Sequence, residues 1–103
     1  MPRQQPRAKA RIPRRFTVMG HPVTVRRVPP SRWKAGDCVG YFDPSRMVIG
    51  VCTGAAASTQ EQVFWHEVTH AILYCLGSPE YGNEEFVDQV GGLIHQIVSS
   101  SEF

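Results

Sequence analysis

The sequence predicts an α+β fold, in which a small antiparallel β-sheet packs against two helices. Short apolar runs that alternate with polar residues and end at turn signals fill residues 16–52. Two longer stretches between 59 and 98 repeat their apolar residues at spacings of three and four, as helices do. The length of 103 residues suits one small domain. We therefore expect a single compact domain over residues 16–99, between a disordered basic arm at 1–15 and a frayed end at 100–103.

The first fifteen residues combine six Lys and Arg residues with three prolines and almost no large apolar side chains. Such a segment cannot bury enough apolar surface to become ordered, so the sequence predicts a disordered arm. A solvated tail is the favoured interpretation of residues 1–15. A weak contact with the phosphates of a nucleic acid is the alternative.

The net charge of +2 hides an asymmetry between the two halves of the chain. Residues 1–47 hold all eleven Lys and Arg against two Asp, a net charge of +9, whereas residues 48–103 hold seven Asp and Glu and no Lys or Arg. The acidic half suits a bound cation. The basic half suits nucleic acid, an anionic surface or the acidic half of the same chain.

Two properties predict a cytoplasmic protein without a membrane partner. No apolar run approaches the length of a transmembrane helix, and the basic N-terminus is not followed by the apolar segment of a signal peptide. The three cysteines, Cys38, Cys52 and Cys75, form no C-x-x-C pair. Such a sparse, odd set is typical of reduced thiols in the cytosol.

Two β-rich segments come first along the chain. Residues 16–25 alternate on either side of Gly20-His21-Pro22, which predicts a tight hairpin or one strand bent at its middle, with His21 in a turn rather than on a metal. Residues 38–42 and 47–52 flank Asp43-Pro44-Ser45-Arg46, a type I turn signal, and are predicted to form a second hairpin. The apolar strand from Met47 to Val51 is interpreted as a sheet edge that can hold an extended peptide.

The first predicted helix runs from 59 to 76, a stretch without Gly or Pro. Ser58 and Glu61 have the spacing of a capping box, Gly77 stands where a C-terminal cap belongs, and Pro79 follows. An apolar stripe lies along it at Phe64, Val68, Ile72 and Cys75. A helix that is apolar nearly all round is expected to be buried.

This helix contains the motif His-Glu-x-x-His at His66, Glu67 and His70. Residues four apart lie on the same face of a helix, so the two imidazoles point at one place, as a tetrahedral metal ion requires. Glu67 is adjacent to the first ligand and is placed to act as a general base. Two core histidines with satisfied hydrogen bonds are the competing interpretation. A carboxylate in an apolar helix needs a partner or a metal, which favours the metal site.

The second predicted helix begins at Asn83, a good N-cap, and has Glu84 and Glu85 in its first turn. Its apolar stripe consists of Phe86, Val90, Leu93, Ile94, Ile97 and Val98. Gly91-Gly92 weakens this helix by about 1 kcal/mol per glycine and permits close packing against the first helix.

Glu84 is the predicted third metal ligand. Glu84 and Asp88 share a helix face, so Asp88 can accept the free ring N–H of a ligand histidine. Glu85 points about 100° away. Ordinary first-turn chemistry remains the alternative for both glutamates, and the choice between them stays open. His95, three turns further on, is interpreted as a polar residue at the edge of the helix.

The two motifs together resemble a known class of enzyme. His66-Glu67-x-x-His70 followed by Asn83-Glu84-x-x-x-Asp88 resembles the gluzincin metallopeptidases. The layout over residues 36–98 looks like small phage and mobile-element metallopeptidases of the ImmA/IrrE type. The resemblance implies an intracellular peptidase that acts on a regulatory protein partner. It also implies its site residues: zinc held by His66, His70 and Glu84, with Glu67 as base and Asp88 behind a ligand.

The chain departs from that family in having no recognisable DNA-binding or substrate-docking domain. It also offers no clear group to stabilise the oxyanion, and Tyr81 is the best available residue. We expect a zinc (Zn²⁺) peptidase that cleaves an intracellular protein or peptide. The alternative is a metal-stabilised, non-catalytic module that uses its basic arm on nucleic acid or a protein. The substrate, the oligomeric state and the native metal are left open by the sequence.

Overall fold

The computed structural model describes residues 9–37 and 39–103, which form four strands and two long helices. The strands are β1 (Arg15–Val18), β2 (His21–Val28), β3 (Gly40–Asp43) and β4 (Val48–Cys52). The helices are α1 (Ala57–Leu76) and α2 (Glu84–Ser100), and short 3-10 turns lie at Pro30–Arg32 and Pro79–Gly82. The predicted α+β class is confirmed. Cys38, the predicted first residue of the third strand, lies outside the described residues.

The sheet is mixed rather than wholly antiparallel, with strand order β1-β2-β4-β3. The pairs β1–β2 and β3–β4 are antiparallel, but β2 and β4 run parallel. The second hairpin therefore adds to the first through β4, which becomes a central strand in which every residue is buried. The prediction that Met47–Val51 forms a sheet edge is wrong, because a continuous apolar run is typical of a strand with neighbours on both sides. The edge strands are β1 and β3.

The first β segment is a hairpin, which settles the choice between a hairpin and a bent strand. Met19 and Gly20 form a two-residue turn with φ angles of 48° and 79°. Two positive φ angles in succession match the type I′ turn, whose twist suits antiparallel strands. His21 follows this turn, pairs with Val18 and is exposed. It is thus the first residue of β2 rather than part of the turn.

Helix α1 begins earlier than predicted and without the predicted cap. Its N-cap is Ala56, which makes no side-chain capping bond, so the capping box at Ser58 and Glu61 is wrong. The side-chain amide of Gln60 donates to the Ala55 carbonyl oxygen at 2.7 Å, in the loop just before the helix. The C-terminus matches the prediction, since Gly77 adopts a left-handed conformation with φ of 64°.

The hydrophobic core lies between one face of the sheet and α1. Its buried residues are Val23, Val25, Ile49, Val51, Phe64 and Val68. The predicted packing of helix on sheet is confirmed for α1, and α2 packs against α1. Where the helices cross, a Cβ atom on Gly91 would lie 2.8 Å from the Cα atom of His66. The predicted close approach at Gly91-Gly92 is therefore confirmed at Gly91.

The described part of the predicted arm lies against the domain. Ala10 is buried, and its carbonyl oxygen accepts a hydrogen bond from the Arg27 guanidinium. The Arg11 amide donates to a carboxylate oxygen of Glu61 at 2.9 Å, and the Val25 amide donates to the Arg14 carbonyl oxygen at 2.8 Å. Residues 9–14 thus follow the domain surface instead of hanging free of it. Residues 1–8 of the predicted arm lie outside the described residues.

Two further expectations concern the surroundings of the protein. Cys52 is disulfide-bonded, so the prediction of reduced thiols throughout is wrong at that position, whereas Cys75 is a free thiol. Within 9–37 and 39–103, no helix is both long enough and apolar enough to span a bilayer.

Candidate metal centre

The predicted metal-binding side chains of α1 converge at one side of the helix. His66, Glu67 and His70 line a cavity of about 650 Å³, whose other walls are β3, Tyr81 and the first turns of α2. One ligand atom from each of the three residues lies within 4.8 Å of the others. This convergence follows from the helix period, which brings residues four apart onto one face.

Glu84 connects the two imidazoles. One of its carboxylate oxygens, Oε2, lies 3.2 Å from Nε2 of His66, and the other, Oε1, lies 2.9 Å from Nε2 of His70. Glu84 is the first residue of α2, and Asn83 fixes that end by accepting a hydrogen bond from the Phe86 amide at 3.1 Å. Glu85 is exposed and does not line the cavity. The geometry thus separates the two glutamates between which the sequence left the choice open.

Glu67 belongs to the same cluster, so proximity alone does not distinguish a ligand from a base. The distinction comes from contact, because Glu84 rather than Glu67 touches both Nε2 atoms. A ligand set of two imidazoles and one carboxylate is the set found in catalytic zinc sites. With Glu84 as the carboxylate of that set, Glu67 lies beside the candidate ligands and is not one of them.

The outer nitrogen of each imidazole has its own acceptor. Nδ1 of His66 lies 3.4 Å from Oδ1 of Asp88, and Nδ1 of His70 lies 3.0 Å from the carbonyl oxygen of Tyr81. A carbonyl oxygen only accepts, so Nδ1 of His70 must carry the proton that is shared with Tyr81. The predicted partnership of Asp88 with a ligand histidine matches this geometry, whereas the carbonyl group of Tyr81 was not anticipated.

These outer contacts determine what the inner nitrogens offer. A neutral imidazole that is protonated at Nδ1 presents a lone pair at Nε2. Two such lone pairs then face the carboxylate oxygens of Glu84. All of these atoms are hydrogen-bond acceptors, so they repel one another unless a cation lies between them. A cation resolves this repulsion, either as protons on the histidines or as a metal ion bound by all three groups. The residues present therefore fit a divalent metal such as zinc.

Glu67 is buried at 7% exposure, although it points into the cavity. Burial raises the pKa of its carboxyl group to about 7; the nearby His66 lowers that pKa and the charge of Glu84 raises it. Strand β3 passes directly over this carboxyl group, since a Cβ atom on Gly40 would lie 3.3 Å from Oε2 of Glu67. A carboxyl group with such a pKa can both accept and release a proton near neutral pH.

Tyr81 lines the cavity beside the second histidine. Its ring packs edge-on against His70 at 5.4 Å and against Phe42 at 6.5 Å between centroids. The pKa of its hydroxyl group is raised, first by burial and then by the neighbouring Tyr74 and Glu67. The contact that the structure defines is made by its backbone carbonyl group, and a role for the hydroxyl group in oxyanion stabilisation remains a prediction.

The walls of the cavity were missed by sequence reasoning. They consist of Thr59, Gln62 and Val63 on α1 and of Val39, Gly40 and Phe42 on or beside β3. Gly40 carried the one available signal, because a glycine inside a strand often marks a close backbone approach. A Cβ atom there would lie 2.4 Å from Cγ1 of Val63.

The remaining histidines lie elsewhere, as predicted. His21 is exposed on β2. His95 does not line the cavity, and its Nε2 lies 3.6 Å from Oε1 of Glu61. Neither residue is part of the candidate metal centre.

Comparisons with known proteins add no assignment: no protein-family profile matches this chain, and no curated protein or solved structure matches it either.

Proposed function

We propose that this chain is a zinc-dependent peptidase, in which His66, His70 and Glu84 hold the metal and Glu67 acts as the general base. One observation carries the proposal. The two Nε2 atoms and the Glu84 carboxylate meet at 2.9 and 3.2 Å, while the two Nδ1 atoms are held from behind by Asp88 and by the Tyr81 carbonyl group. Such oriented imidazoles with one carboxylate are typical of catalytic zinc sites.

A zinc ion bound there would supply Lewis acidity to a peptide carbonyl group and to water. Glu67 does the proton chemistry, because it is the carboxyl group beside the ligand set and faces the cavity. It removes a proton from the attacking water and passes that proton to the nitrogen of the departing amine. Tyr81, on the cavity wall next to His70, is the residue we assign to the oxyanion that develops on the carbonyl oxygen.

The substrate is proposed to bind along β3. Among residues 9–37 and 39–103, this strand pairs with β4 alone, so its other edge is available for pairing next to the cavity. An extended peptide can add to such an edge and place one peptide bond over Glu67. The peptide-binding edge that was predicted at Met47–Val51 is therefore proposed for β3. Gly40 in this strand lets its backbone lie close to α1.

The alternative is a metal-stabilised module without catalysis, acting on nucleic acid or a protein partner. Structural zinc sites are closed, with four protein ligands, whereas catalytic sites keep a position open. Here the ligands line an open cavity, and a buried carboxyl group lies beside them. This arrangement favours the peptidase, with a protein or peptide as its substrate.

The test uses three proteins: wild type, His70→Ala and Glu67→Gln. We expect about one zinc per chain in wild type and in Glu67→Gln by elemental analysis, and loss of zinc in His70→Ala. Hydrolysis of a denatured protein substrate, followed by mass spectrometry of the products, is expected from wild type alone. Zinc binding with equal hydrolysis by Glu67→Gln would reject the mechanism. Metal-free, folded wild type that takes up no added zinc would reject the metal site itself.

A further inference from the structure

The hydrogen-bond register of β3 determines which of its backbone groups face outward. The Cys52 amide donates to the Val39 carbonyl oxygen at 2.9 Å, so these two residues form a hydrogen-bonded pair. Along an antiparallel pair of strands, hydrogen-bonded pairs alternate with pairs that exchange no hydrogen bond. Tyr41, two residues on, therefore bonds to β4 as well. The backbone amide and carbonyl groups of Gly40 and Phe42 then point away from β4, toward the outer edge of the sheet.

The two residues with outward-facing backbone groups are those of β3 that line the cavity. Gly40 and Phe42 line it, whereas Tyr41 between them does not. An extended peptide that adds to this edge bonds to the groups of these two residues, which lie about 7 Å apart along the strand. The inference that follows rests on the proposed function, since it concerns the substrate of that peptidase.

The side chains of an added peptide alternate between the two faces of the sheet. Residues that lie opposite each other on neighbouring strands point their side chains to the same face. A Cβ atom on Gly40 would point at Val63 on α1, and the ring of Phe42 packs against Tyr74 on α1. The peptide residues opposite Gly40 and Phe42 therefore direct their side chains toward α1. The residue between them directs its side chain away.

The two positions that face α1 differ in the room they offer. Beside Phe42 the space is taken by its own ring and by the ring of Tyr81, whose centroids lie 6.5 Å apart. Gly40 has no side chain, so a substrate side chain opposite it can lie over Val63, which is half-buried. A Cβ atom on Gly40 would also lie 3.3 Å from Oε2 of Glu67, so this substrate residue adjoins the proposed general base.

Carboxyl groups dominate the polar lining of the cavity. Its described lining includes Glu67, Glu84 and Asp88, and contains no Lys or Arg. A divalent ion would offset only part of this negative charge. A carboxylate on the substrate would be repelled there, and it would also lose water against Val63. An apolar side chain loses nothing and buries its surface.

We propose that Val63 is a specificity-determining residue, which selects an apolar side chain next to the cleaved bond of the substrate. The substrate is an extended peptide segment with an apolar residue opposite Gly40. An acidic residue is disfavoured at that position. The neighbouring residue, opposite Tyr41, faces away from α1 and is not selected.

The first experiment measures hydrolysis of short synthetic peptides that differ at a single position. The peptides are rich in serine and threonine, and the position carries valine, phenylalanine, serine or aspartate. Mass spectrometry of the products locates the cleaved bond. We expect cleavage next to the apolar residue, with kcat/KM for the valine peptide at least about 10-fold above that for the serine peptide. The aspartate peptide should be cleaved least.

Protein variants assign this preference to Val63. Val63→Ala enlarges the space, so the ratio of kcat/KM for the phenylalanine peptide to that for the valine peptide should rise by about 10-fold. A ratio within one variant is not changed by a general loss of stability or of zinc. Val90→Ala is the matched control, because Val90 is half-buried on α2 and does not line the cavity. Its ratio should equal that of wild type.

A binding measurement separates this inference from the proposed function. It uses the full-length Glu67→Gln chain with added zinc and a labelled valine peptide, followed by fluorescence anisotropy. Single backbone N-methyl groups are placed at successive residues of the peptide, each removing one hydrogen-bond donor. We expect binding to weaken by about 10-fold at two positions that lie two residues apart. The position between them should change little.

The outcomes distinguish the two ideas. Alternating binding without hydrolysis by wild type would reject the peptidase and support the register on β3, and the comparison of Val63→Ala with Val90→Ala would then be made on affinities. An equal effect of N-methylation at every position would overturn the register, even if the peptides are cleaved. An equal preference for valine and phenylalanine in wild type and Val63→Ala would overturn the role of Val63.

Discussion

The two helices contribute to the same site from very different surroundings. Helix α1 is enclosed by the sheet and by α2, and six of its residues are buried, Glu67 among them. Helix α2 buries only Val87 and Gly91. The histidine pair is therefore half-buried on an enclosed helix. Glu84 is exposed, and the helix that carries it is supported from one side. The position of the carboxylate depends on how α2 lies on α1, and this dependence can be tested residue by residue.

The largest expected effect is the loss of the proposed metal ligand on α2. Glu84→Gln is expected to weaken zinc binding by about 1,000-fold, since a binding free energy of about 10 to 16 kcal/mol is shared among three or four ligands. Competition with a chromogenic chelator measures the affinity. Glu85→Gln, one residue along the same helix, is the control and is expected to bind as wild type does. Equal losses in the two variants would show that helix charge, not ligation, is responsible.

The next effect concerns the carboxyl group that α1 buries. The pKa of Glu67 is about 7 in the fold against a reference value of 4.5, so the folded state binds the proton more tightly between these values. The free energy of unfolding of the metal-free protein therefore falls as pH rises from about 4.5 to 7, on the order of 3 kcal/mol in total. Glu67→Gln removes the titrating carboxyl group and with it this fall in the free energy of unfolding.

Urea denaturation of metal-free wild type and Glu67→Gln at about pH 5 and about pH 8 provides the measurement. The stability of the variant relative to wild type should be greater at the higher pH. A difference that does not change with pH would mean that Glu67 is ionised in the fold at both values.

A smaller effect is expected where the helices touch. Gly91→Ala places a Cβ atom 2.8 Å from the Cα atom of His66, so α2 must move away from α1. We expect a loss of about 2 kcal/mol in the free energy of unfolding, together with weaker zinc binding as Glu84 shifts. Gly92 is the natural control, because a Cβ atom there meets nothing within 4 Å. Gly92→Ala should stabilise the protein by up to about 1 kcal/mol. Similar thermal midpoints for both variants would contradict the close contact.

The smallest effect tests the support behind one histidine. Asp88→Asn keeps the shape of the side chain but removes the charge near Nδ1 of His66, which lies 3.4 Å from Oδ1. Zinc affinity is expected to fall by about 10-fold, as is typical when such a partner is lost. Isothermal titration with zinc measures it. His70 depends on a backbone carbonyl group instead and should be indifferent to this change, so the zinc stoichiometry stays at one. Unchanged affinity would show that Asp88 does not orient the ring.

The sequence could predict those features that are determined by residues close together along the chain. The helix period alone placed His66 and His70 together, and Glu84 with Asp88 on one face of the second helix. The N-terminus of α1 was misplaced because the helix already begins at Ala57, after the N-cap Ala56, so that Ser58 lies within its first turn. Nearby polar side chains compete to hydrogen-bond the backbone at a helix end, so the residue at which a helix begins is difficult to predict from sequence.

Features that depend on distant pairings could not be predicted. Nothing in the sequences of β2 and β4 indicates that these two strands pair in parallel. Because they do, Met47–Val51 lies at the centre of the sheet and not at the predicted edge. The cavity wall at Gly40 follows from that same strand order. The contact of Arg11 with Glu61 is likewise a tertiary contact across the sequence.

The parallel ladder also has a kinetic consequence. Each of the two hairpins closes through a short local turn, and hairpins form in about 1–10 μs. The β2–β4 ladder joins non-local segments, so it is expected to form later. The two hairpins meet only in that later step, when β3 takes its place as the outer strand over α1. The proposed metal ligands lie on consecutive helices and do not depend on this ladder. They can therefore come together before β3 completes the wall of the cavity.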